Sequence, residues 1–467
     1  MTNFSYISKR SVRAIRNLIV DPFPRNKTLA IKQVEITKNG FDILYIVESK
    51  RLKVEVSLPA DLSVKLHDID PRAVSPTLAA IALAFSPFFF KLTDFHKVLI
   101  EAYALDDTSK MFFAKFLQGG LGEFRYLQGL NPSRPIVVDS LKHADPEPKS
   151  MTVDEHVLML NGGGKDTIVA GELLTRAGQQ FTWVTIRPNQ ARRAVVELSG
   201  NESSVDIGYK LDEGIESFKV YPWGHFPHTS IVLSLGLLVA QLLGVKYVCV
   251  GNEYSANYGN LTYRGFEVNH QYTKSTDYER GFANYVSRCV TPDIEVFSIL
   301  RPFHDLQLAK LFSRFTRYHT SFISCNRGIT RNEWCKACSK CAFTALALYP
   351  FVGRDGLVTI FGEDIFLRRN IRRHVLDLVG DGVKPWECVG TTDENKLALK
   401  LLLERNPGLS FEEEPTRSTF ENAVANVQVP TLTKQILEST EPEHRIPEII
   451  KVKLNRALLS IDEPQII

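Results

Sequence analysis

The sequence predicts an α/β protein in which a parallel sheet carries helices on both faces. Short apolar runs at 156–160, 181–186 and 246–250 alternate with helical stretches at 166–177 and 231–243, the rhythm of β–α–β units. A glycine-rich segment, Asn161-Gly162-Gly163-Gly164, falls between the first of these strands and the helix that follows it. The length, 467 residues with 44% hydrophobic, provides for about three units with sizeable cores.

Along the chain, a basic start (Lys9, Arg10, Arg13, Arg16) has helical period but no continuous apolar run of a secretory signal. Residues 29–58 read as antiparallel strands. Asn39-Gly40 supplies the turn, and Leu52, Val54, Val56 and Leu58 alternate with polar residues as a strand with one buried face does. Helices are expected at 75–92 and 108–118. A proline-bearing link (Pro132, Pro135, Pro146, Pro148) then separates an N-terminal α+β domain, 1–150, from the parallel-sheet domain, 151–355. The remainder, 356–467, reads as mixed and mostly helical, with Glu412–Glu414 as a solvated loop and no internal repeat anywhere.

Composition excludes several classes. Fifty-six basic against 53 acidic residues leave a net charge of +3, too little for an electrostatic sleeve around nucleic acid. The apolar stretch 77–90 is interrupted by Pro87 and too short to cross a bilayer, and 231–243 reads as a buried helix, so no membrane partner is expected. Seven cysteines, four of them within 325–341, describe a reduced, metal-binding chain and a cytoplasmic protein rather than a disulfide framework.

The segment Asn161-Gly162-Gly163-Gly164-Lys165-Asp166-Thr167 has the composition of a phosphate cradle. Glycines let backbone N–H groups close on an anion, and the following helix adds its positive end. Lys165 is suited to neutralising phosphate, Asp166 to holding Mg2+, and Thr167 to capping or bonding. The spacing is not that of a Walker A loop. It resembles the PP-loop, Ser-Gly-Gly-x-Asp-Ser, of enzymes that split ATP between the α- and β-phosphates, with Gly162, Gly163 and Asp166 matching. The resemblance implies a PP-loop, HUP-like domain that binds ATP and Mg2+ through residues 161–167.

Cys325-x9-Cys335-x2-Cys338-x2-Cys341 has the spacing of a four-thiolate Zn2+ knuckle, with an iron–sulfur cluster as the rival occupant. Such a closed site is structural. A PP-loop followed by this knuckle resembles 7-cyano-7-deazaguanine synthase, which activates a carboxylate with ATP.

A third segment is rich in polar and ionisable groups: 251–260, then 267–275 with Glu267, His270 and Lys274. It begins where the strand 246–250 ends, the place at which a ligand meets a parallel sheet. Together with Leu121-Gly122-Glu123-Phe124, Leu300-Arg301-Pro302, Ser324-Cys325-Asn326-Arg327 and Lys384-Pro385-Trp386-Glu387-Cys388-Val389-Gly390, it resembles the MurL family over about residues 30–400. That family comprises UDP-N-acetylmuramoyl-L-alanyl-L-glutamate epimerases of peptidoglycan synthesis. The resemblance implies adenylation of the α-carboxylate of the terminal L-glutamate, inversion of the α-carbon, and release of AMP and pyrophosphate, with the UDP-N-acetylmuramoyl dipeptide as partner.

Glu253, Glu267, His270 and Lys274 are the candidates for the general base and acid, since they share the loop where substrate belongs. Arg301 or Arg327 is suited to binding substrate phosphate or carboxylate. His225 and His228 read as capping or packing residues, and Cys249 and Cys388, outside the knuckle, as inert buried thiols in preference to a thiol base. Two alternatives stand beside epimerisation. One is carboxylate activation for C–N bond formation, as in the deazaguanine enzyme; the other is a zinc-ribbon binding protein with a non-catalytic ATP loop.

Overall fold

The computed structural model describes residues 27–90, 92–217 and 226–462. The basic start and His225 lie outside the described residues. Among the described residues there are twelve strands: β1 (Thr28–Thr37), β2 (Gly40–Val47), β3 (Lys50–Ser57), β4 (Lys97–Ile100), β5 (Val137–Ser140), β6 (Asp154–Leu160), β7 (Phe181–Ile186), β8 (Ser204–Leu211), β9 (Val245–Val250), β10 (Leu261–Tyr263), β11 (Phe266–Val268) and β12 (Glu295–Ser298). Ten form one sheet in the order β12-β9-β6-β7-β8-β3-β2-β1-β4-β5, and β10–β11 make a separate hairpin.

The first five strands of that order, β12 to β8, are mutually parallel. Alternation within each strand explains why helices cover both faces. In β6, Val157 and Met159 pack in one core with helices Lys165–Arg176, Gln190–Ser199 and Asp305–Phe312. Leu158 and Leu160 face the other core, with helices His228–Leu243 and Thr276–Tyr285. A strand buried on both sides reads as a continuous apolar run, as these do.

The N-terminal strands extend the same sheet. Asn39 and Gly40 turn β1 into β2, with Thr37 opposite Gly40, and β2 pairs antiparallel with β3. β3 then pairs antiparallel with β8, Val54 opposite Leu211, so hydrogen bonding is continuous past the proline-bearing link. That link itself contributes β5, which the prolines around it concealed.

The apolar stretch is longer than expected, and burial explains it. Helix Pro71–Phe85 begins at its proline with Asp70 accepting from the Arg72 amide, and Pro87–Phe90 continues it. These 20 residues meet the length and hydropathy of a membrane span, but 83% of the apolar window is buried inside the protein. Tyr45 Oη donates to the Ala82 carbonyl at 2.7 Å and Thr77 Oγ1 to Gln241 Oε1 at 2.5 Å, which pins the helix between β2 and helix His228–Leu243. Beyond Phe361 the chain is helical and packs into the core of the Lys165–Arg176 face.

Candidate active site

The parallel strands run β8-β7-β6-β9-β12, so chain order reverses between β6 and β9. At such a switch point the loops leave in opposite directions and open a crevice at the carboxyl ends of the strands. The two loops here are Asn161–Gly164 and the segment starting at Gly251. They meet closely: a Cβ on Gly251 would stand 3.2 Å from the Asp166 carbonyl oxygen.

The glycine loop is shaped by its own flanking residues. Asn161 Oδ1 accepts from the Gly163 amide at 2.9 Å, and its Nδ2 donates to Thr185 Oγ1 and the Arg192 carbonyl. Thr167 Oγ1 accepts from the Gly162 amide at 3.0 Å. Asn161 and Thr167 therefore spend their side chains holding the loop. Gly163 has φ +80°, and a Cβ there would meet Arg192 Cγ at 2.8 Å, so this position requires glycine. Helix Lys165–Arg176 starts at Gly164, which has no side chain to cap it, and its first amide, that of Lys165, is met by Ser324 Oγ at 3.4 Å, so its positive end faces the crevice.

Lys165 is not free to swing out alone. Its ammonium is 5% exposed and lies 2.5 Å from Asp166 Oδ1 and 2.6 Å from Asp305 Oδ1. Burial opposes that charge, but the two carboxylates hold the ammonium protonated well above the usual lysine range. Burial also works against Asp166, yet Lys165, Lys274 and Lys340 keep its carboxyl below the usual range. Asp305 goes the other way: burial, reinforced by Asp166 and Glu253, pushes it up.

Apart from the exposed β10–β11 hairpin and Tyr258, most of the polar segment 251–275 is interior rather than solvated. Asn252, Glu253, Ser255, Asn260, Asn269, His270, Gln271 and Thr273 are all buried. Arg301 organises it. This wholly buried guanidinium pairs with Glu279 Oε2 at 2.7 Å and donates to the Glu253 and Lys274 carbonyls at 2.8 and 2.7 Å. Arg301 thus holds two cleft residues in place and does not reach for ligand itself, while Arg327 is exposed.

Of the four acid–base candidates, three gather in the cleft. Glu253 is 2% exposed, and its Oε2 has no hydrogen-bond partner among the described residues. Lys274 is partly exposed and is held charged against burial by Cys388, Glu253, Asp166 and Asp305. His270 Nδ1 lies 2.5 Å from Glu123 Oε2; burial opposes the charge of the imidazole, yet Cys388 and Glu123 push it up to about 9. Glu267 departs from the group: it is exposed on the β10–β11 hairpin and accepts from the Gly259 amide at 2.9 Å.

Distant segments converge on this loop. Asn260 Nδ2 donates to the Lys384 and Pro385 carbonyls, and Lys384 Nζ donates to the Tyr258 carbonyl at 2.9 Å. A cavity of about 560 Å³ opens beside them, lined by Asn260, His304, Lys384 and Thr391 among others. A second, of about 730 Å³, is lined by Tyr254, Asn257, Glu267, Asn269 and Tyr272 among others, so Glu267 borders a cavity apart from the other three candidates.

The four expected cysteines do come together: their Sγ atoms all lie within 4.8 Å of one another. The Cys325–Cys338, Cys335–Cys341 and Cys338–Cys341 separations are 3.9, 3.7 and 3.5 Å. Four sulfurs at Zn–S ≈ 2.3 Å in a tetrahedron stand about 3.8 Å apart, so the cluster fits a tetrahedral ion. It also braces the crevice on two sides. Ser324, next to Cys325, accepts from the Lys165 amide at 3.4 Å, and Lys340, next to Cys341, donates to the Cys388 carbonyl.

Sequence reasoning missed Asp305. Asp305 begins a helix shortly after β12, at a strand end where a buried acid is a signal in itself. At Cys388 burial works against the thiolate, but Lys274 and His270 hold the thiol below its usual range. Cys249 does behave as expected: burial in β9 pushes it far up. His228 is pushed down to about 4 by burial and by Arg192 and Arg187, and stays neutral.

Comparison with known proteins bears on the whole arrangement. The model of the MurL N-terminal domain matches residues 26–299, and that of the MurL C-terminal domain matches residues 321–431. A protein of Xanthomonas oryzae pv. oryzae named UDP-N-acetyl-alpha-D-muramoyl-L-alanyl-L-glutamate epimerase is 32% identical over 406 residues, 84% of this chain and 89% of that protein. Proteins of the same name from Micromonospora sp. and Salinispora tropica are 34% and 33% identical over 52% and 56% of this chain, covering 56% and 58% of their own lengths. No solved structure matches.

Proposed function

This chain belongs to the MurL family, and from that premise we propose how its crevice carries out the family's reaction. The protein is an epimerase that converts the terminal L-glutamyl residue of UDP-N-acetylmuramoyl-L-alanyl-L-glutamate to its D form, in peptidoglycan precursor synthesis.

Inversion requires loss of the hydrogen on the α-carbon, and a free α-carboxylate resists this because its negative charge opposes formation of an enediolate. ATP removes the obstacle. The α-carboxylate oxygen bonds to the α-phosphorus, the α–β phosphoanhydride bond breaks, and pyrophosphate leaves. The resulting acyl-adenylate is uncharged at the reacting carboxyl, and its α-hydrogen is more acidic. After reprotonation on the opposite face, water hydrolyses the adenylate to carboxylate and AMP.

One observation carries this reading: the glycine loop sits at the switch point, on a helix N-terminus without a side-chain cap, beside Lys165 and Asp166. The loop 161–164 brings the Gly164 amide and the start of the helix to the position for phosphates, with Asn161 and Thr167 fixing its path by accepting from the Gly163 and Gly162 amides. Asp166 would hold Mg2+, which when bound offsets phosphate charge. Lys165, restrained by Asp305, supplies a second fixed positive charge. Glu253, His270 and Lys274 border the same crevice and face the substrate. Glu267 is given no part. Cys325, Cys335, Cys338 and Cys341 would hold Zn2+ in a closed structural site that ties the ATP loop to the opposite wall.

The test is incubation with ATP, Mg2+ and UDP-N-acetylmuramoyl-L-alanyl-L-glutamate, followed by chiral analysis of the released glutamate. D-glutamate appearing only with ATP, together with AMP and pyrophosphate, is expected. Unchanged L-glutamate, or a new C–N bond that requires ammonia, would overturn the reading.

A further inference from the structure

The cavity of about 730 Å³ lies beside the crevice and shares two chain segments with it. Glu253 and Lys274 border the crevice, and the next residue of each segment, Tyr254 and Ser275, lines the cavity. Arg301 holds the Glu253 and Lys274 carbonyls at 2.8 and 2.7 Å, so both junctions are fixed relative to each other. Helix Asp107–Gly120 supplies a further wall through Lys115, Gln118 and Gly119.

Tyr272 is held in this lining as a platform. A Cβ on Gly119 would stand 2.6 Å from two of its ring carbons, so the ring lies directly on the helix backbone. Its Oη donates to Asp277 Oδ2 at 2.9 Å, and Tyr278 makes a T-shaped contact with it at 6.2 Å between centroids. Tyr254 lines the same space and is braced by T-shaped contacts with Tyr258 and His304. Aromatic faces carry negative charge density and attract the weakly positive C–H groups of a saturated ring.

Two side-chain amides add polar specificity. Gln118 Nε2 donates to the Ser133 carbonyl at 3.1 Å, and Asn257 Oδ1 accepts from the Thr276 amide at 2.7 Å. Those bonds fix which end of each amide is engaged. They leave Gln118 Oε1 as an acceptor and Asn257 Nδ2 as a donor, neither with a hydrogen-bond partner among the described residues. Such a pair is complementary to the N–H and C=O of an acetamido group. The charges suit a neutral ring and oppose a phosphate. Lys115 is paired with Asp277 at 2.6 Å and Arg280 with Glu443, while Glu267 adds a further carboxylate to the wall.

We propose that this cavity is the sugar subsite: it takes the N-acetylmuramoyl ring of the substrate against Tyr272 and Tyr254, with the acetamido group met by Gln118 and Asn257 and the diphosphate left outside. This rests on the substrate named above. Lactyl, alanyl and glutamyl units of ~3.5 Å each give the chain a reach of about 10 Å, well beyond the ~3.8 Å step from Tyr254 to Glu253. Binding of the unreacting sugar thereby orients the glutamyl α-carbon in the crevice.

The experiment measures binding to the full-length protein by isothermal titration, with UDP-N-acetylmuramoyl-L-alanyl-L-glutamate in the absence of ATP and with ATP alone. Tyr272→Leu is expected to raise Kd for the UDP-linked substrate ~10-fold and to leave Kd for ATP unchanged. Tyr272→Phe, which keeps the ring, should bind the substrate as wild type does. A second measurement needs no variant: N-acetylmuramic acid should displace the UDP-linked substrate from the wild type but not ATP, and muramic acid, which lacks the acetyl group, should be about tenfold weaker. A Tyr272→Leu protein with wild-type Tm and a substrate Kd within about twofold of wild type overturns the proposal. So does N-acetylmuramic acid that fails to displace the substrate, displaces ATP, or is matched by muramic acid. Failure of the wild type to form D-glutamyl product with ATP overturns the proposed reaction and leaves these binding results standing, a separate failure.

Discussion

Lys165 Nζ stands 2.6 Å from Asp305 Oδ1, and this buried pair joins the start of the helix after β6 to the start of the helix after β12. The ammonium also meets Asp166, so the charge offered to a phosphate is fixed before any nucleotide binds. We expect Asp166→Asn to lower ATP-dependent AMP formation by ~10²-fold or more while leaving the far-ultraviolet circular dichroism unchanged, since Lys165 keeps Asp305 as partner. Near-normal AMP formation would remove the loop from the chemistry.

The arginine behind the cleft gives a sharper separation of roles. Arg301→Met leaves the buried Glu279 carboxylate without its cation, and such a break costs roughly 3–5 kcal/mol. A large fall in Tm is therefore expected. An arginine that bound substrate would instead raise KM with little change in Tm, and that outcome would contradict the scaffolding role.

At the cysteine cluster we expect about one zinc per chain by metal analysis, in keeping with a single tetrahedral four-thiolate site. Cys338→Ser should reduce soluble yield and Tm before it affects catalysis, because Cys338 also caps helix Ser339–Phe361 by accepting from the Cys341 amide. Iron with sulfide in place of zinc would contradict the assignment.

His228 provides a check on stability against pH. Its folded pKa is pushed down to about 4 from 6.5, so between those values the unfolded chain binds more protons than the folded one. Stability from this group is complete above about pH 6.5 and is lost as pH falls toward 4. Thermal melts of wild type and His228→Gln should therefore converge as the pH is lowered through that window. A constant difference would contradict the linkage.

Much of this was legible in the sequence for physical reasons. Strands buried on both faces, such as β6 and β9, must be continuously apolar, and the glycines at 162–164 mark where a backbone turns tightly between strand and helix. β8 escaped notice because most of Ser204–Leu211 is only partly buried and its polar residues break the pattern. β4, β5 and β12 have four residues each, too few to show a period. The cleft was hardest to read. Glu123 and His270 are 147 positions apart, and Lys165 and Asp305 are 140 apart, so no local spacing reveals either pair. The interior position of segment 251–275 was hidden by its own polarity, which Arg301 and the Lys384–Cys388 segment satisfy from a distance.

The most direct measurement is the fate of the α-hydrogen in the wild-type protein. Reaction with UDP-N-acetylmuramoyl-L-alanyl-L-glutamate, ATP and Mg2+ in deuterated water should give D-glutamyl product carrying one deuterium at the α-carbon, with AMP and pyrophosphate formed alongside. Product without α-deuterium, or deuterium gained equally well without ATP, would contradict inversion through an adenylated α-carboxylate.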